Sequence, residues 1–534
     1  MSKYIFVTGG VVSSLGKGIT AASLGRLLIE RGLNVTVQKL DPYLNVDPGT
    51  MNPEQHGEVF VTHDGMETDL DIGHYERFLD KDFDKTCNYT SGKIYSDIIA
   101  KERAGEYLGA TIQVVPHVTS EIKNVMRSCA RPDIDVVIIE VGGTVGDMES
   151  SAFLEAIRQF ERELKVGNYC HIHCTLVPYL DAAGEVKTKP TQHSVKELTS
   201  MGLNPDIVVC RTNKNVELTQ QNKKKIAMFC NLENSDHVIH NPDCETIYEV
   251  PLVLNKQGLD RIVGEILDLD LGDINLSKWQ EMVDMYITNL PTLDIAIVGK
   301  YTEVPDSYLS VIEAIKHASL QNKYKAKISI VSSEDIEMIG AKDALKNFDA
   351  VVVPGGFGSR GIEGKILTAQ YCRENKVPFL GLCLGMQISV IEFARNVVGF
   401  RDANSTEFDP NTTHPVIHMM EDQRDLTDKG ATMRLGSFDC HLNESSLTRR
   451  VYGMPDIKER HRHRYEFNNE YREKFEDMGL IIAGVNPERN LVEVIEHRDH
   501  PFFIATQYHP EFKSRPNRPH PLFVGLIRTA ISQK

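Results

Sequence analysis

The chain has 534 residues, 41% of them hydrophobic, enough for roughly two to four domains with cores of their own. Its 59 Lys and Arg against 75 Asp and Glu leave a net charge of −16, which opposes non-specific attraction to nucleic acid or anionic membrane, so a polyanionic ligand must meet a local positive site. No apolar run approaches the roughly 20 residues that span a bilayer, and no secretory leader is read at the N-terminus. The ten cysteines fall mostly inside apolar runs such as "DIVVCRT", so reduced thiols and a cytoplasmic setting are expected.

The first element, Tyr4 to Thr8 in "YIFVTGGVVSSLGKGIT", predicts a strand running into a glycine turn and then a helix. A phosphate loop normally spaces its glycines by four residues and follows its lysine with Ser or Thr; here five residues separate Gly10 from Gly16, and Gly18 follows Lys17. Amides exposed at such a turn, backed by a helix N-terminus, attract phosphate whatever the spacing, and Lys17 adds a point charge. A tight strand-to-helix turn with a solvated lysine is the other reading.

Apolar runs at Val35 to Lys39, Val136 to Val141, His171 to Val177 and Ile207 to Cys210 alternate with helical stretches such as Ser150 to Leu164, the pattern of a mainly parallel sheet covered by helices. Asp71 in "ETDLDIGH" and Glu140 closing "DVVIIEVGG" offer Mg2+ carboxylate oxygens in place of the missing hydroxyl. Glu140 is the stronger candidate, because it ends a strand where α/β sheets place ligands. "CHIHC", Cys170 to Cys174, looks like a metal cluster, but strand alternation sends its histidines to one face and its cysteines to the other, so a buried strand is expected. In "GEVKTKPTQHS", Lys187 and Lys189 suit a phosphate chain; an exposed basic loop is an equal alternative.

From Leu267 the text becomes "LDLDLGDINLSKWQEMVDMYITNLPT", a polar helical connector. The expected division is therefore a first domain over 1–268, a linker over 269–292 and a second domain over 293–534. The second series, "LDIAIVGKY", "KISIVSS", "DAVVVPGGFG" and "VPFLGLCLGMQ", again leads strands into glycine turns, so the fold class is α/β with two mainly parallel, helix-flanked sheets. "GLCLG" has the G-x-nucleophile-x-G layout of a strand-to-helix elbow with Cys383 at its tip, where a helix N-terminus favours the thiolate. "ERHRHRYEF" resembles a nucleic-acid patch but stands isolated in an acidic protein. "IATQYHPEF" sets His509 and Glu511 two residues apart, completing a Cys-His-Glu triad. "PGGFG" supplies amides for an oxyanion together with that of Leu384.

"PGGFG", "GLCLGMQ" and "YHPEF" resemble the class I glutamine amidotransferase signature. With "FVTGGVVSSLGKG", "KLDPYLNVDPGTMNPEQHGEVFVTHDGMETDLDIGHYERF", "EVGGTVGDMES" and "GEVKTKPTQHSVKEL", nearly the whole chain is similar to the CTP synthase family, which writes its phosphate loop with this extra residue. The resemblance implies an ATP-dependent ligase that phosphorylates the uracil 4-oxygen of UTP, displaces that phosphate with ammonia released from glutamine, and is inhibited by its product CTP. It implies Cys383, His509 and Glu511 as catalytic residues; Ser14, Leu15, Gly16, Lys17, Gly18, Ile19, Asp71 and, around "HNPDCETIY", Asp243 for ATP; Asp71 and Glu140 for Mg2+; and Lys39 beside the transferred phosphate. Ser13, Asp147, Met148, Glu149, Lys187, Thr188, Lys189, Pro190, Thr191, Gln192 and Lys225 match positions for UTP or CTP. Gly356, Leu384, Gly385, Met386, Gln387, Glu407 and Arg464 match positions for glutamine, Arg464 on its α-carboxylate. His56 and Val59 resemble residues of an ammonia passage, Arg360 lies where a lid answering the activator GTP is expected, and a homotetramer able to stack into filaments is implied. Another ATP-dependent amidase of the cobyrinate type and a non-biosynthetic phosphate-loop protein with an inactive glutaminase domain remain as alternatives.

Overall fold

The computed structural model describes residues 2–12, 15–182, 184–420 and 432–534. The chain folds into two compact units, Met1–Asp47 with His74–Ile287, and Pro48–Gly73 with Thr288–Lys534. Two pieces therefore depart from simple chain order. Pro48–Gly73, inside the span expected for the first domain, belongs with the second half, and the connector helix Ser277–Ile287 belongs with the first. That helix is held by its one tryptophan: Trp279 is buried, donates from Nε1 to the Tyr248 carbonyl at 2.7 Å and lies 5.7 Å from the Phe78 ring.

In the first unit, seven described strands form one sheet: β1 (Lys3–Gly9), β2 (Val35–Asp41), β3 (Asn88–Thr90), β4 (Val136–Val141), β5 (Tyr169–Leu176), β6 (Ile207–Thr212) and β7 (Val238–Pro242). Their spatial order is β7-β6-β5-β1-β4-β2-β3, and every pairing is parallel. Such a sheet is buried on both faces, which is why its strands read as unbroken apolar runs. The helices that bear on function are α1 (Lys17–Glu30), α2 (Ser151–Glu163), α3 (Lys189–Ser200) and α4 (Gln220–Phe229). Tyr4 and Phe6 of β1 meet the edge of Phe160 on α2, at 5.0 and 6.3 Å between ring centroids. As expected for "CHIHC", Cys170 to Cys174 lie in the buried middle of β5.

The second unit carries nine described strands in one sheet. Its parallel part is β8 (Thr292–Gly299), β9 (Lys325–Ser332), β10 (Ala350–Val353), β11 (Phe379–Leu382) and the late β16 (Phe503–Thr506), ordered β9-β8-β10-β11-β16. An antiparallel extension continues from β16 through β15 (Val492–His497), β14 (Leu480–Val485), β12 (Arg434–Leu442) and β13 (Asp456–His463). The basic run "ERHRHR" belongs to β13, where Glu459, Arg460, His461 and His463 are buried. Helices α5 (Ile362–Asn375) and α6 (Leu384–Phe393) cover one face.

Pro48–Gly73 is fastened to this unit by polar and aromatic contacts. Glu58 accepts from the Ser310 amide at 2.8 Å, Arg462 pairs with Glu67 at 2.7 Å and donates to the Gly49 carbonyl at 2.9 Å, and Arg460 donates to the Val61 carbonyl at 3.0 Å. Phe60 packs on Phe512 with centroids 4.9 Å apart. Among the described residues no helix is long and apolar enough to cross a membrane, and all ten cysteines are free thiols.

Candidate active site

Strand β11 delivers Cys383 into α6 through a residue with φ 51° and ψ −99°, a left-handed backbone that L side chains adopt only under constraint. The flanking glycines are steric necessities. A Cβ on Gly385 would sit 2.2 Å from the Val353 carbonyl oxygen, and one on Gly381 would sit 2.8 Å from the Gly385 backbone. The Cys383 amide donates to the Thr506 carbonyl at 2.7 Å, so the elbow is pinned to the strand whose end leads on to His509. Burial pushes the Cys129 thiol up to about 11 and those of Cys174 and Cys210 to about 12, which leaves them unreactive.

His509 Nδ1 lies 2.7 Å from Glu511 Oε1, and its ring stacks on Phe512 at 5.1 Å. Burial alone would lower the imidazole; the Glu511 carboxylate and then the Cys383 sulfur oppose it and bring it to about 10. His509 Nε2 is buried with no hydrogen-bond partner among the described residues, which leaves it available to a sulfur or a substrate. The Gly355–Gly356 turn closes over the pair: a Cβ on Gly355 would meet His509 Cε1 at 2.9 Å and Cys383 Cβ at 3.6 Å. These groups open on a cavity of about 410 Å³, whose walls include Gly355, Gly356, Phe357, Arg462 and, from the inserted segment, Glu58 and Val59. The structure thus brings Cys383, His509, Glu511, Gly356 and Val59 together. His56 lies on the same segment, exposed, at the end of the short helix Pro53–His56.

The remaining glutamine candidates sit around this group. Leu384, Gly385, Met386 and Gln387 form the first turn of α6, and Gln387 donates to the Tyr465 carbonyl at 2.9 Å. Glu407 accepts from the Gly358 amide at 2.8 Å; burial raises its carboxyl, against the pull of that amide and of Lys300. Arg464 donates to Thr432 Oγ1 at 2.8 Å, and Arg360 is exposed with its guanidinium 3.1 Å from the Lys300 carbonyl.

Three side chains here escaped the sequence reading. Lys300, at the end of β8, donates to the Phe357 and Gly358 carbonyls and so fixes the "PGGFG" turn. Gln507 donates to Cys383 Sγ at 3.7 Å. Lys365 of α5 is fully buried with no partner for its Nζ among the described residues, and burial, helped by Lys300, brings it down to about 7. The strand-end lysine in "VGKY" was the one available signal; Gln507 beside "YHPEF" and Lys365 in "IEGKILT" carry none.

In the first unit the carboxyl edge of the sheet gathers the other candidates. After β1 the turn passes Gly10 and Val11, whose φ of 86° is an outlier for a β-branched residue, then Leu15 and Gly16 with φ 82°, before Lys17, Gly18 and Ile19 open α1. Ser13 and Ser14 lie outside the described residues. Lys17 is buried and donates to the Gly143 carbonyl at 2.7 Å. Lys39 of β2 and Glu140 of β4 are register partners, both buried; Lys39 pairs with Asp41 at 3.5 Å, and Tyr75 bonds to Glu140. Glu140 belongs to the first unit and Asp71, which opens the helix Asp71–Leu79, to the second. Among the described residues no three or more His, Cys, Asp or Glu side chains converge as metal ligands. Glu140, buried near the end of β4, offers a carboxylate oxygen of the kind Mg2+ takes, the ion completing its shell with water and phosphate.

Thr188 precedes α3, whose first turn carries Lys189, Pro190, Thr191 and Gln192. Lys187 pairs with Glu185, and Lys187 followed by Lys225 of α4 holds the Glu185 carboxyl below its ordinary value, which places both lysines at one loop. Asp147, Met148 and Glu149 are exposed beyond β4. Asp243, just past β7, pairs at 2.5 Å with Arg211, a residue the sequence reading passed over. Arg211 stands 3.7 Å from where a Gly16 Cβ would be, so it neighbours the phosphate turn.

Comparison with known proteins gives a consistent result. A family model described as CTP synthase N-terminus matches residues 3–269, and one described as glutamine amidotransferase class-I matches residues 303–529. The chain is 57% identical to a CTP synthase of Clostridium perfringens over 534 residues, covering 100% of this chain and 99% of that protein. It is 55% identical to a CTP synthase of Geobacillus kaustophilus, covering 100% of both chains. The Trypanosoma brucei glutaminase domain with bound acivicin matches with 40% identity and a TM-score of 0.43, over 45% of this chain and 94% of that one.

Proposed function

This chain belongs to the CTP synthase family and is a glutamine-hydrolysing ligase, and from that premise we propose how its residues divide the reaction. The synthase task falls to residues 1–268 and the glutaminase task to 293–534, with 269–292 as the link; Pro48–Gly73 groups with the second unit, and the link's helix Ser277–Ile287 with the first. The observation that carries this reading is the buried Cys383–His509–Glu511 arrangement under a glycine turn.

In the glutaminase, His509 Nε2 takes the thiol proton and the sulfur attacks the side-chain amide carbon of glutamine. The amides of the Gly355–Gly356 turn and of Leu384 receive the oxyanion. As the tetrahedral carbon collapses, His509 returns its proton to the departing nitrogen; water then cleaves the thioester to glutamate. Arg464 binds the α-carboxylate of glutamine. Val59 and His56 line the exit of ammonia, which must stay unprotonated to act as a nucleophile, so a dry passage serves the chemistry.

In the synthase, the turn from Gly10 to Gly18 and Lys17 hold the ATP phosphates, with Asp243 at the adenine end, and Lys39 faces the transferred phosphoryl group. Asp71 and Glu140 would each offer Mg2+ a carboxylate oxygen, and the ion would supply positive charge to those phosphates. Asp147, Glu149, Lys187, Lys189, Gln192 and Lys225 bind UTP, and CTP competes for the same cations. The uracil 4-oxygen becomes phosphate, a leaving group that ammonia displaces. GTP activates near Arg360, and the working assembly is a homotetramer.

The test is CTP formation from UTP and Mg-ATP with either glutamine or an ammonium salt. Cys383→Ala is expected to abolish the glutamine reaction and keep the ammonia reaction. Loss of both, with the protein folded, would overturn this division of labour.

A further inference from the structure

Five side chains in the first unit, four buried and Glu161 partly so, form a hydrogen-bonded chain that the reaction scheme leaves unused. Glu161 Oε1 on α2 lies 3.0 Å from His171 Nδ1 on β5, and His171 Nε2 lies 2.9 Å from Thr8 Oγ1 on β1. Thr8 Oγ1 lies 2.9 Å from His173 Nδ1, and His173 Nε2 lies 2.8 Å from Ser194 Oγ on α3. Thr8, His171 and His173 are at most 1% exposed, and Ser194 is 7% exposed.

One end of the chain has a fixed sense. A carboxylate only accepts, so His171 donates from Nδ1 to Glu161. Thr8 Oγ1 bridges the two rings, bonding to His171 Nε2 and to His173 Nδ1. Burial, then His171 and Lys17, bring His173 down to about 3, so its ring is neutral, with one nitrogen donating and the other accepting between Thr8 and Ser194. Each ring nitrogen of the two histidines has one partner in the chain, and removing a member leaves its buried neighbour a hydrogen bond short.

Both ends of the usable stretch touch nucleotide-facing structure. Thr8 immediately precedes Gly9 and Gly10, and a Cβ on Gly10 would fall 1.8 Å from Ser194 Oγ and 3.3 Å from His173 Nε2. The glycine turn after β1 therefore rests directly on this serine. Ser194 lies in α3, whose first turn carries Lys189 and Gln192, and a second tether joins Thr191 of that turn to Thr175 of β5 at 3.1 Å.

We propose that the Glu161–His171–Thr8–His173–Ser194 chain is a positioning device that locks helix α3 to the glycine turn, so that the phosphate turn and the cationic start of α3 act as one rigid nucleotide cradle. This rests on the reading that the two elements bind ATP and UTP. No member touches a reacting atom; each acts through the backbone it holds.

The test uses the full-length protein, ammonium-driven CTP formation, and a pair of changes at Thr8. Thr8→Val keeps the shape and removes the hydroxyl, whereas Thr8→Ser keeps the hydroxyl and leaves a methyl-sized hole. The expected result is that Thr8→Val raises KM for both ATP and UTP about fivefold or more with kcat within about threefold, and that Thr8→Ser stays near the parent. Ser194→Ala, at the less buried end, is expected to repeat the Thr8→Val pattern and serves if Thr8→Val does not fold. Unchanged KM values in Ser194→Ala, or Thr8→Ser proving worse than Thr8→Val as a pure packing role requires, would overturn the proposal. Lys17→Ala separates the two readings. If it is inactive while Ser194→Ala keeps both KM values, only the positioning role fails; if it retains ammonium-driven synthesis, the nucleotide reading itself fails.

Discussion

The phosphate turn after β1 and the cysteine elbow after β11 are the same device, a parallel strand entering a helix through a left-handed residue, tuned in opposite ways. At the elbow the backbone is packed so closely that Gly381 and Gly385 admit no side chain, and the single functional atom, Cys383 Sγ, is buried. The phosphate turn is packed as closely at its start, where a Cβ on Gly10 would fall 1.8 Å from Ser194 Oγ, but it opens beyond: Val11 and Val12 are about 40% exposed, and among the described residues a Cβ on Gly16 would meet only Arg211 within 4 Å. On the proposed reading, one turn fixes a nucleophilic sulfur and the other presents backbone amides to a polyphosphate. Tight packing suits a nucleophile that must approach one carbon along one line, and openness suits a ligand that arrives with its own charge and water.

The largest expected effect removes the cation from the open turn. Lys17→Ala is expected to cost on the order of 10³-fold in CTP formation with either nitrogen source, measured by steady-state kinetics. A crowded elbow predicts the next: Gly385→Ala is expected to destabilise the second unit by about 3 kcal/mol, read from chemical unfolding. Tolerance of alanine there would erase the contrast between the turns.

A third test addresses charge. The unfolded imidazole titrates near its ordinary value and the folded His509 near 10, so its contribution to stability is complete below the unfolded value and lost as pH rises toward 10. His509 must be protonated to release ammonia, so the alkaline limb of glutamine hydrolysis follows it. In Glu511→Gln the largest opposition to burial is gone and the Cys383 sulfur alone remains, so that limb is expected to move down by about one pH unit or more. The smallest effect is expected at Val11. Val11→Gly relieves a left-handed β-branched residue and is expected to gain about 1 kcal/mol of stability while raising KM for ATP a few-fold.

Much of this was legible in the sequence because it is written locally. The strand of "YIFVTG", the elbow glycines flanking Cys383 and the His509–Glu511 spacing each need only a few neighbouring residues. What escaped was assembled from distant parts. Glu58 meets Ser310 and Arg462 meets Glu67 across hundreds of residues, with no periodicity to announce them. The histidines of "CHIHC" gave away their strand but not their partners, because Thr8 and Ser194 come from other elements. Lys365 carried no signal, since a lysine in a helix normally signals solvent, and here it is fully buried.

The excursion of Pro48–Gly73 has a consequence for how such a chain can be inherited or cut. A fragment starting after Ile287 would keep Ser310, Arg460 and Phe512 but leave behind Glu58, Val61 and Phe60, which cover them. Such a cassette has an open seam. Recombination that traded the C-terminal half between proteins would have to carry a small patch of the N-terminal half with it, so the two halves are expected to descend as one heritable unit.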